Sequence, residues 1–308
     1  MCIPGTALSR YVNFYTDFAF KKLFGTEANK DLLISFLNQL LGFTGDSEIK
    51  NLTYLNPEQL GDSINERRAI YDVYCTTAKG EHFIVEMQKA KQDSFRDRAL
   101  YYSSFAIREQ GQKGSTTKPW DYTLTPVYVV GILNFVMDHT EGHEEKVITK
   151  VKLKDDENNV FNENLNYVFL EMPKFKKTEL ELETFLDKWL YAIKNLSQLS
   201  NKPEVLTEAI FKRLFSEAEV AQLTAKDKTE YEESLKIFWD FSNVLSTAKR
   251  EGKEEGRAEG RAEGRAEGRA EGEREEKLRN AKKMKDKGMD LADISDITGL
   301  TAGEIEEL

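Results

Sequence analysis

The sequence predicts an α/β protein built around one mixed sheet. Two observations in the first 138 residues predict it: two helix-like stretches precede a pair of apolar runs joined by a tight turn, and a third helix-like stretch separates that pair from a β-branched run at 126–135. A third concerns length, since apolar runs such as residues 127–133 fall far short of the ~20 residues needed to span a bilayer. No membrane partner is expected.

In chain order, residues 17–24 and 32–41 carry apolar side chains at helical spacing. Residues 49–55, 68–77 and 81–90 read as strands, the last two joined at Lys79-Gly80. Residues 94–110 return to a helical pattern, and 126–135 read as a buried strand. Residues 146–154 and 166–171 add a further β pair. From 179 to 249 the pattern is helical again, with stripes through Leu182, Phe185, Leu186, Trp189, Ile193 and Leu196, through Leu206, Ile210 and Leu214, and through Leu235, Phe238, Phe241 and Leu245. All three are expected to face a core, and Pro203 is placed at a helix start.

Between Glu251 and Gly272 the pair Glu-Gly recurs every four residues, six times, mostly as Arg-Ala-Glu-Gly. On a helix this period drifts by about 40° per repeat. Like charges then meet at i,i+4, and each Gly costs about 0.8–1 kcal/mol relative to Ala. The tract therefore reads as a solvated spacer, or as a helix that needs a partner. Beyond it, residues 277–287 form a basic helix ended by Gly288, Asp290 caps 291–298, and Thr301 with Glu304 has capping-box spacing. This tail reads as a docking or oligomerisation element. As a DNA reader it lacks Arg, Asn or Gln on its last helix, which instead holds Glu304, Glu306 and Glu307.

Composition narrows the function. The chain has 308 residues, 40% hydrophobic and 32% charged, with a net charge of −10. Residues 1–138 hold 15 Lys/Arg and 16 Asp/Glu, so the acidity lies behind them. Indiscriminate nucleic-acid coating is not expected. Two cysteines, Cys2 and Cys75, fit a reducing cytoplasm, and no basic-then-apolar leader suggests secretion.

The chemistry-bearing residues lie in the hairpin. Asp72 interrupts an apolar run, and Glu86 and Gln88 stand two apart on one strand face. An antiparallel pairing brings Asp72 toward Glu86. Two such carboxylates are costly to bury unless a cation sits between them, and an all-oxygen set selects a hard ion such as Mg²⁺ or Mn²⁺. On spacing alone, two acids at a solvated sheet edge are equally consistent.

Asp72 followed by Glu86-Met87-Gln88 resembles the Asp…(Asp/Glu)-x-Lys core of the restriction-endonuclease-like superfamily, with Gln in the Lys place. The run from Thr16 to Gly25, Asp72-Val73-Tyr74, Ile84 to Gln88, and Arg98 to Tyr102 are similar to the PD-(D/E)XK nuclease family transposases, also called the Rpn recombination-promoting nucleases. A Glu-Gly-rich repeat before a short helical tail resembles that family as well. The resemblance implies a restriction-endonuclease-like mixed sheet flanked by helices, followed by a helical region and a repeat-bearing tail. The expected divisions are a nuclease-like domain at 1–175, a helical region at 176–249, the repeat as spacer or helix at 250–273, and a small helical tail at 274–308.

It also implies a Mg²⁺- or Mn²⁺-dependent DNA endonuclease that promotes recombination or transposition-like events. Asp72 and Glu86 would be the metal ligands, and Gln88 and Asp17 further catalytic positions. For Asp17 a plain helix-capping role is equally open. Arg67, Arg68, Arg98 and Tyr102 are candidate DNA contacts, against a reading as ordinary surface charges; Arg98 and Tyr102, four apart on one helical face, could equally meet the carboxylates. Lys89 and Lys91 share a strand parity opposite to Gln88, so neither is an easy substitute for the Lys unless the strand bulges. His139 and His143 have i,i+4 spacing but lie in a polar, Gly-containing stretch that reads as a loop, and His82 reads as an exposed edge residue. The glycines of the repeat lack the flanking strand and Lys-Ser/Thr of a phosphate loop. The expected partners are DNA and a second copy of the chain, bound through the C-terminal helices and repeat. The alternative is a nuclease-fold module that binds DNA or protein without cutting, consistent with the acidic charge and the absent Lys.

Overall fold

The computed structural model describes residues 9–59, 69–92, 94–112, 122–137 and 145–308. The chain divides into two compact units, Met1–Trp239 and Asp240–Leu308.

In the first unit, helices α1 (Asp17–Phe24) and α2 (Lys30–Leu41) precede strands β1 (Thr53–Tyr54), β2 (Glu58–Gln59), β3 (Ala69–Ile70), β4 (Val73–Thr76) and β5 (His82–Gln88). Helix α3 (Phe95–Gln112) then leads to β6 (Val127–Leu133), which is followed by the hairpin β7 (Ile148–Lys154) and β8 (Val160–Glu171). Helices α4 (Phe185–Asn195) and α5 (Ala209–Glu217) follow, and then the long helix α6 (Ala225–Asp286) begins.

Six strands form one sheet in the order β1-β4-β5-β6-β8-β7, while β2 and β3 pair separately. Strand β4 is antiparallel to β1 and β5, whereas β5, β6 and β8 run parallel. Parallel neighbours need a crossover, and α3 supplies one between β5 and β6. The mixed sheet with flanking helices is the architecture expected from the sequence.

Each face of the sheet has its own core. Phe83, Val85, Met87, Val130, Ile132, Val168 and Leu170 join a cluster containing Phe20, Leu23, Phe36, Leu37, Trp189, Ile193 and Phe211 from α1, α2, α4 and α5. Tyr74, Ile84, Val129, Leu133 and Phe169 instead join Phe95, Ala99 and Ala106 of α3. The alternation along β5 thus sends odd positions toward α1 and α2 and even positions toward α3.

Local chemistry accounts for several boundaries. The Thr16 hydroxyl accepts the Ala19 N–H at 3.3 Å, with Asp17 in the first turn of α1 and Lys21 and Lys22 in its last. The β4–β5 turn closes at Gly80, whose φ of +83° is open to glycine but strained for other residues.

Other expectations change. Of residues 49–55 only Thr53–Tyr54 is strand, because Ile49 is held by a side chain: its N–H donates to Asn38 Oδ1 at 2.8 Å and its carbonyl accepts from Asn38 Nδ2 at 3.0 Å. The expected strand 68–77 is broken by a bend at Asp72, and this shapes the site described below. Pro203 opens a turn closed by the Leu206 N–H, while α5 starts later, at Ala209. The stripe from Leu235 to Leu245 is only half core. Leu235 is buried, but Phe241 and Leu245 are exposed.

The repeat lies inside α6 and is exposed along its length. Its Ala, Glu and Arg residues are strong helix formers, and the helix continues through them from the apolar stretch before. At the end of α6, Gly288 adopts φ +80°. The Asp290 side chain then caps α7 (Leu291–Thr298), Thr301 and Glu304 form a capping box on α8 (Ala302–Glu306), and Ala281, Ile294, Leu300 and Ile305 make a small core. No helix among the described residues is long and apolar enough to cross a membrane.

Candidate active site

The site forms where the β4–β5 ladder is interrupted. Val73 pairs with Val85, so continued pairing would set Asp72 opposite Glu86. The bend at Asp72 breaks the regular ladder, and side chains take its place. The Met87 N–H donates to Asp72 Oδ2 at 2.8 Å, and the Asp72 N–H donates to Glu86 Oε1 at 3.2 Å. Each carboxylate therefore binds the other strand's backbone. Gln88 Nε2 adds a bond to Glu86 Oε2 at 3.1 Å, as their shared strand face allows.

Both acids are perturbed. Glu86 is buried, and its carboxyl is pushed up to about 8, first by burial and then by the charge of Asp72. Arg98 and the hydrogen bonds from Asp72 and Gln88 oppose that shift without cancelling it. Asp72 is half-buried and raised as well, by burial first and next by Asp17, while its bond from Met87 and the charges of Lys21 and Lys89 oppose the rise. The pair resists carrying two negative charges unless a cation joins it.

Arg98 and Tyr102, one turn apart on α3, come to the Glu86 side. Together with Phe95, Gly131 and Phe169 they line a small cavity against it. Arg98 Nη1 donates to Gln92 Oε1 at 2.7 Å, while its Nη2 is buried without a hydrogen-bond partner among the described residues. Asp17 is near enough for its charge to be felt at Asp72. It is exposed, ion-paired with Lys21 at 3.0 Å, and leaves the capping of α1 to Thr16. With Phe18, Lys21, Lys22, Lys89 and Asp227 it lines an open cleft of about 640 Å³. Arg67 and Arg68, like His139 and His143, lie outside the described residues.

Two expectations are corrected. His82 is buried, because β5 lies inside the sheet between β4 and β6, and its Nδ1 shares a 2.8 Å hydrogen bond with the Tyr74 hydroxyl. Lys89 is not governed by the parity of β5, since the strand ends at Gln88 and Lys89 lies in the bend that follows.

Two features escaped sequence reasoning. Gly131 pairs with Glu86, and a Cβ there would come within 3.0 Å of Phe169 and 3.2 Å of Phe95. A glycine inside the β-branched run 127–133 is a sign of such close approach. Lys21 was legible only as the i,i+4 partner of Asp17.

The chemistry available is that of an oxygen-rich anionic pair with a guanidinium beside Glu86 and the charges of Lys21 and Lys89 felt at Asp72. Among the described residues no group of three or more His, Cys, Asp or Glu is assembled to hold a metal ion. The donor set of two carboxylates and the amide of Gln88 nevertheless suits a hard divalent cation, whose charge would relieve the raised pair. No curated protein and no solved structure matches the chain. The family model described as PD-(D/E)XK nuclease family transposase matches residues 14–248.

Proposed function

The chain belongs to the PD-(D/E)XK nuclease family transposases, and from that membership we propose that it is a metal-dependent DNA endonuclease whose cuts promote recombination or transposition-like events. The observation that carries this reading is the crossed pair of Asp72 and Glu86 at the broken β4–β5 ladder. These two residues would hold Mg²⁺ or Mn²⁺, which supplies Lewis acidity toward the phosphoryl oxygen and acidifies water. Gln88 orients Glu86 through its amide, and its carbonyl can accept a hydrogen bond from a water. Asp17 keeps Lys21 at the cleft they both line. Arg98 and Tyr102 act through Glu86 in this reading, and Arg98 makes its ionised form more accessible.

In the reaction, a water oxygen bonds to phosphorus as the bond from phosphorus to the leaving sugar oxygen breaks. The attacking water gives up one proton and the leaving oxygen takes one up. DNA is the partner and the cytoplasm the site of action. Pairing of two copies through the repeat and the C-terminal helices belongs to the same reading, because one site per chain cuts both strands only as two chains or in two successive nicks.

Cleavage of supercoiled plasmid tests the proposal, with Mg²⁺, Mn²⁺ or EDTA and an Asp72→Ala/Glu86→Ala double variant. The expected result is nicking by the wild type alone, abolished by EDTA. Equal nicking by the double variant, or none by the wild type with either metal, overturns it, and the latter would favour a module that binds without cutting.

A further inference from the structure

The carboxyl edge of the sheet, beside the acid pair, carries groups that the proposed chemistry leaves unused. Gln88 pairs with Leu133 and Leu133 with Glu171, while the Glu171 N–H donates to the Val147 carbonyl at 2.8 Å. These four residues form one row across β5, β6, β8 and the entrance to β7. At about 4.8 Å between strands the row spans about 14 Å. Glu86 lies two residues inside it. Where strands run parallel, ligands bind outside their carboxyl ends.

Asn134 and Lys146 stand one residue beyond the row. The Asn134 N–H donates to the Gln88 carbonyl at 2.9 Å, which ties it to the strand that carries Glu86. Its side chain is exposed and has no hydrogen-bond partner among the described residues. An Asn that merely shapes a turn bonds the backbone two residues on, and this one does not. Lys146 is exposed as well and is in no ion pair among the described residues. Lysines on an edge strand guard it against pairing with other sheets, but that task falls to Lys150, Lys152 and Lys154 within β7. Lys146 precedes the strand.

The edge is also held still. Phe135 meets Phe95 edge to face with centroids 5.9 Å apart, and the buried Met137 donates its N–H to Glu171 at 2.8 Å. Glu171 is in turn ion-paired with Lys174 at 3.1 Å, both side chains withdrawn from solvent. A buried ion pair adds little net stability, but this one fixes the chain that leaves β6. Phe135 and Met137 are thereby turned inward, and Asn134 and Val136 outward.

We propose that this edge holds the DNA backbone beside the cut, the Asn134 amide donating to one phosphate and the Lys146 ammonium to another farther along the same strand. Asn134 lies three residues along and one strand across from Glu86, about 11 Å away. At about 3.4 Å of rise per nucleotide, its phosphate is roughly three nucleotides from the scissile one. Neither group enters the chemistry. They set the register of the DNA against the acid pair. The position of the cut rests on the nuclease reading above.

The test uses the full chain as Asn134→Ala, Asn134→Asp and Lys146→Ala, with Lys154→Ala as a control at the far end of β7. Duplex affinity is measured by anisotropy in Ca²⁺ over a range of salt, and the single-turnover nicking rate in Mg²⁺ at saturating plasmid. Lys146→Ala should weaken binding about eightfold at 0.1 M salt and lower the slope of log affinity against log salt by about 0.9. Asn134→Ala should weaken it about tenfold with the slope unchanged. Asn134→Asp should weaken it further, because its charge repels phosphate. Nicking at saturation should stay within about threefold of wild type, and Lys154→Ala should bind like wild type. Asn134→Ala or Lys146→Ala binding within about twofold of wild type overturns the inference and leaves the nuclease reading standing. An equal loss in Lys154→Ala also overturns it, since the effect would then be diffuse charge. A wild type that binds as expected but nicks no better than Asp72→Ala/Glu86→Ala removes the nuclease reading and supports the DNA-holding edge.

Discussion

Replacing Glu86 by Gln tests the electrostatics of the site without any assumption about catalysis. Glu86 is 6% exposed and its carboxyl is pushed up to about 8 in the folded chain, whereas the unfolded chain ionises near 4.5. Between those values the folded protein holds a proton that the unfolded one has released. The stability this group contributes is therefore fullest below pH 4.5 and is lost as pH rises through 8. At about 1.4 kcal/mol per pH unit, the loss attributable to this group by pH 9 is at most about 5 kcal/mol. Gln at this position keeps the volume and the acceptor for the Asp72 N–H but cannot ionise.

The assay is urea unfolding in EDTA at pH 5, 7 and 9. The stability of Glu86→Gln relative to wild type should climb by several kcal/mol across that range. The new amide donor facing Gln88 adds an offset that does not depend on pH, so the slope decides and not the intercept. Asp72, raised by burial, contributes a slope of the same sign in both proteins. Adding Mg²⁺ or Mn²⁺ should restore the wild type most at pH 9 and leave the variant little changed. A stability difference that is flat with pH would refute the account of Glu86 as an acid held protonated by burial and by Asp72.

Two further substitutions probe the frame of the site. Gly131→Ala places a methyl within 3.0 Å of Phe169 and 3.2 Å of Phe95, rings packed in the α3 core. It should cost about 1–3 kcal/mol, and a melting temperature equal to wild type would show that the rings have room to move. Asn38→Ala leaves the Ile49 N–H and carbonyl without their buried partner. A loss of about 2–3 kcal/mol is expected in urea unfolding, and an unchanged midpoint would mean that water replaces the amide.

Much of the fold was legible because its signals are local. Helix α1 spans Asp17–Phe24, as the apolar spacing indicates, since a cap, a first-turn acid and last-turn lysines all lie within ten residues. The common face of Glu86 and Gln88 follows from the period of a strand, and the turn at Gly80 from a residue that accepts positive φ. The order of helices, hairpin, crossover helix and β-branched strand was enough to indicate a mixed sheet.

The site depended on partners far away in the chain. Spacing indicates that Asp72 and Glu86 approach each other. It says nothing of the bend that lets each carboxylate take the other strand's N–H, which arises only when β4 and β5 meet. His82 looks like an edge residue until β6, some 45 residues on, covers the other side of its strand. By parity Lys89 faces away from Gln88, but β5 ends one residue earlier and Lys89 lines a cleft with Asp17 and Lys21. The helical state of the repeat was likewise undecided by composition, since its glycines oppose a helix that its alanines, glutamates and arginines favour. The sequence by itself determined which residue types stood at which periodic positions. Only the tertiary structure decided which of them lost water, because desolvation and ladder pairing are imposed by neighbours that sequence distance does not reveal.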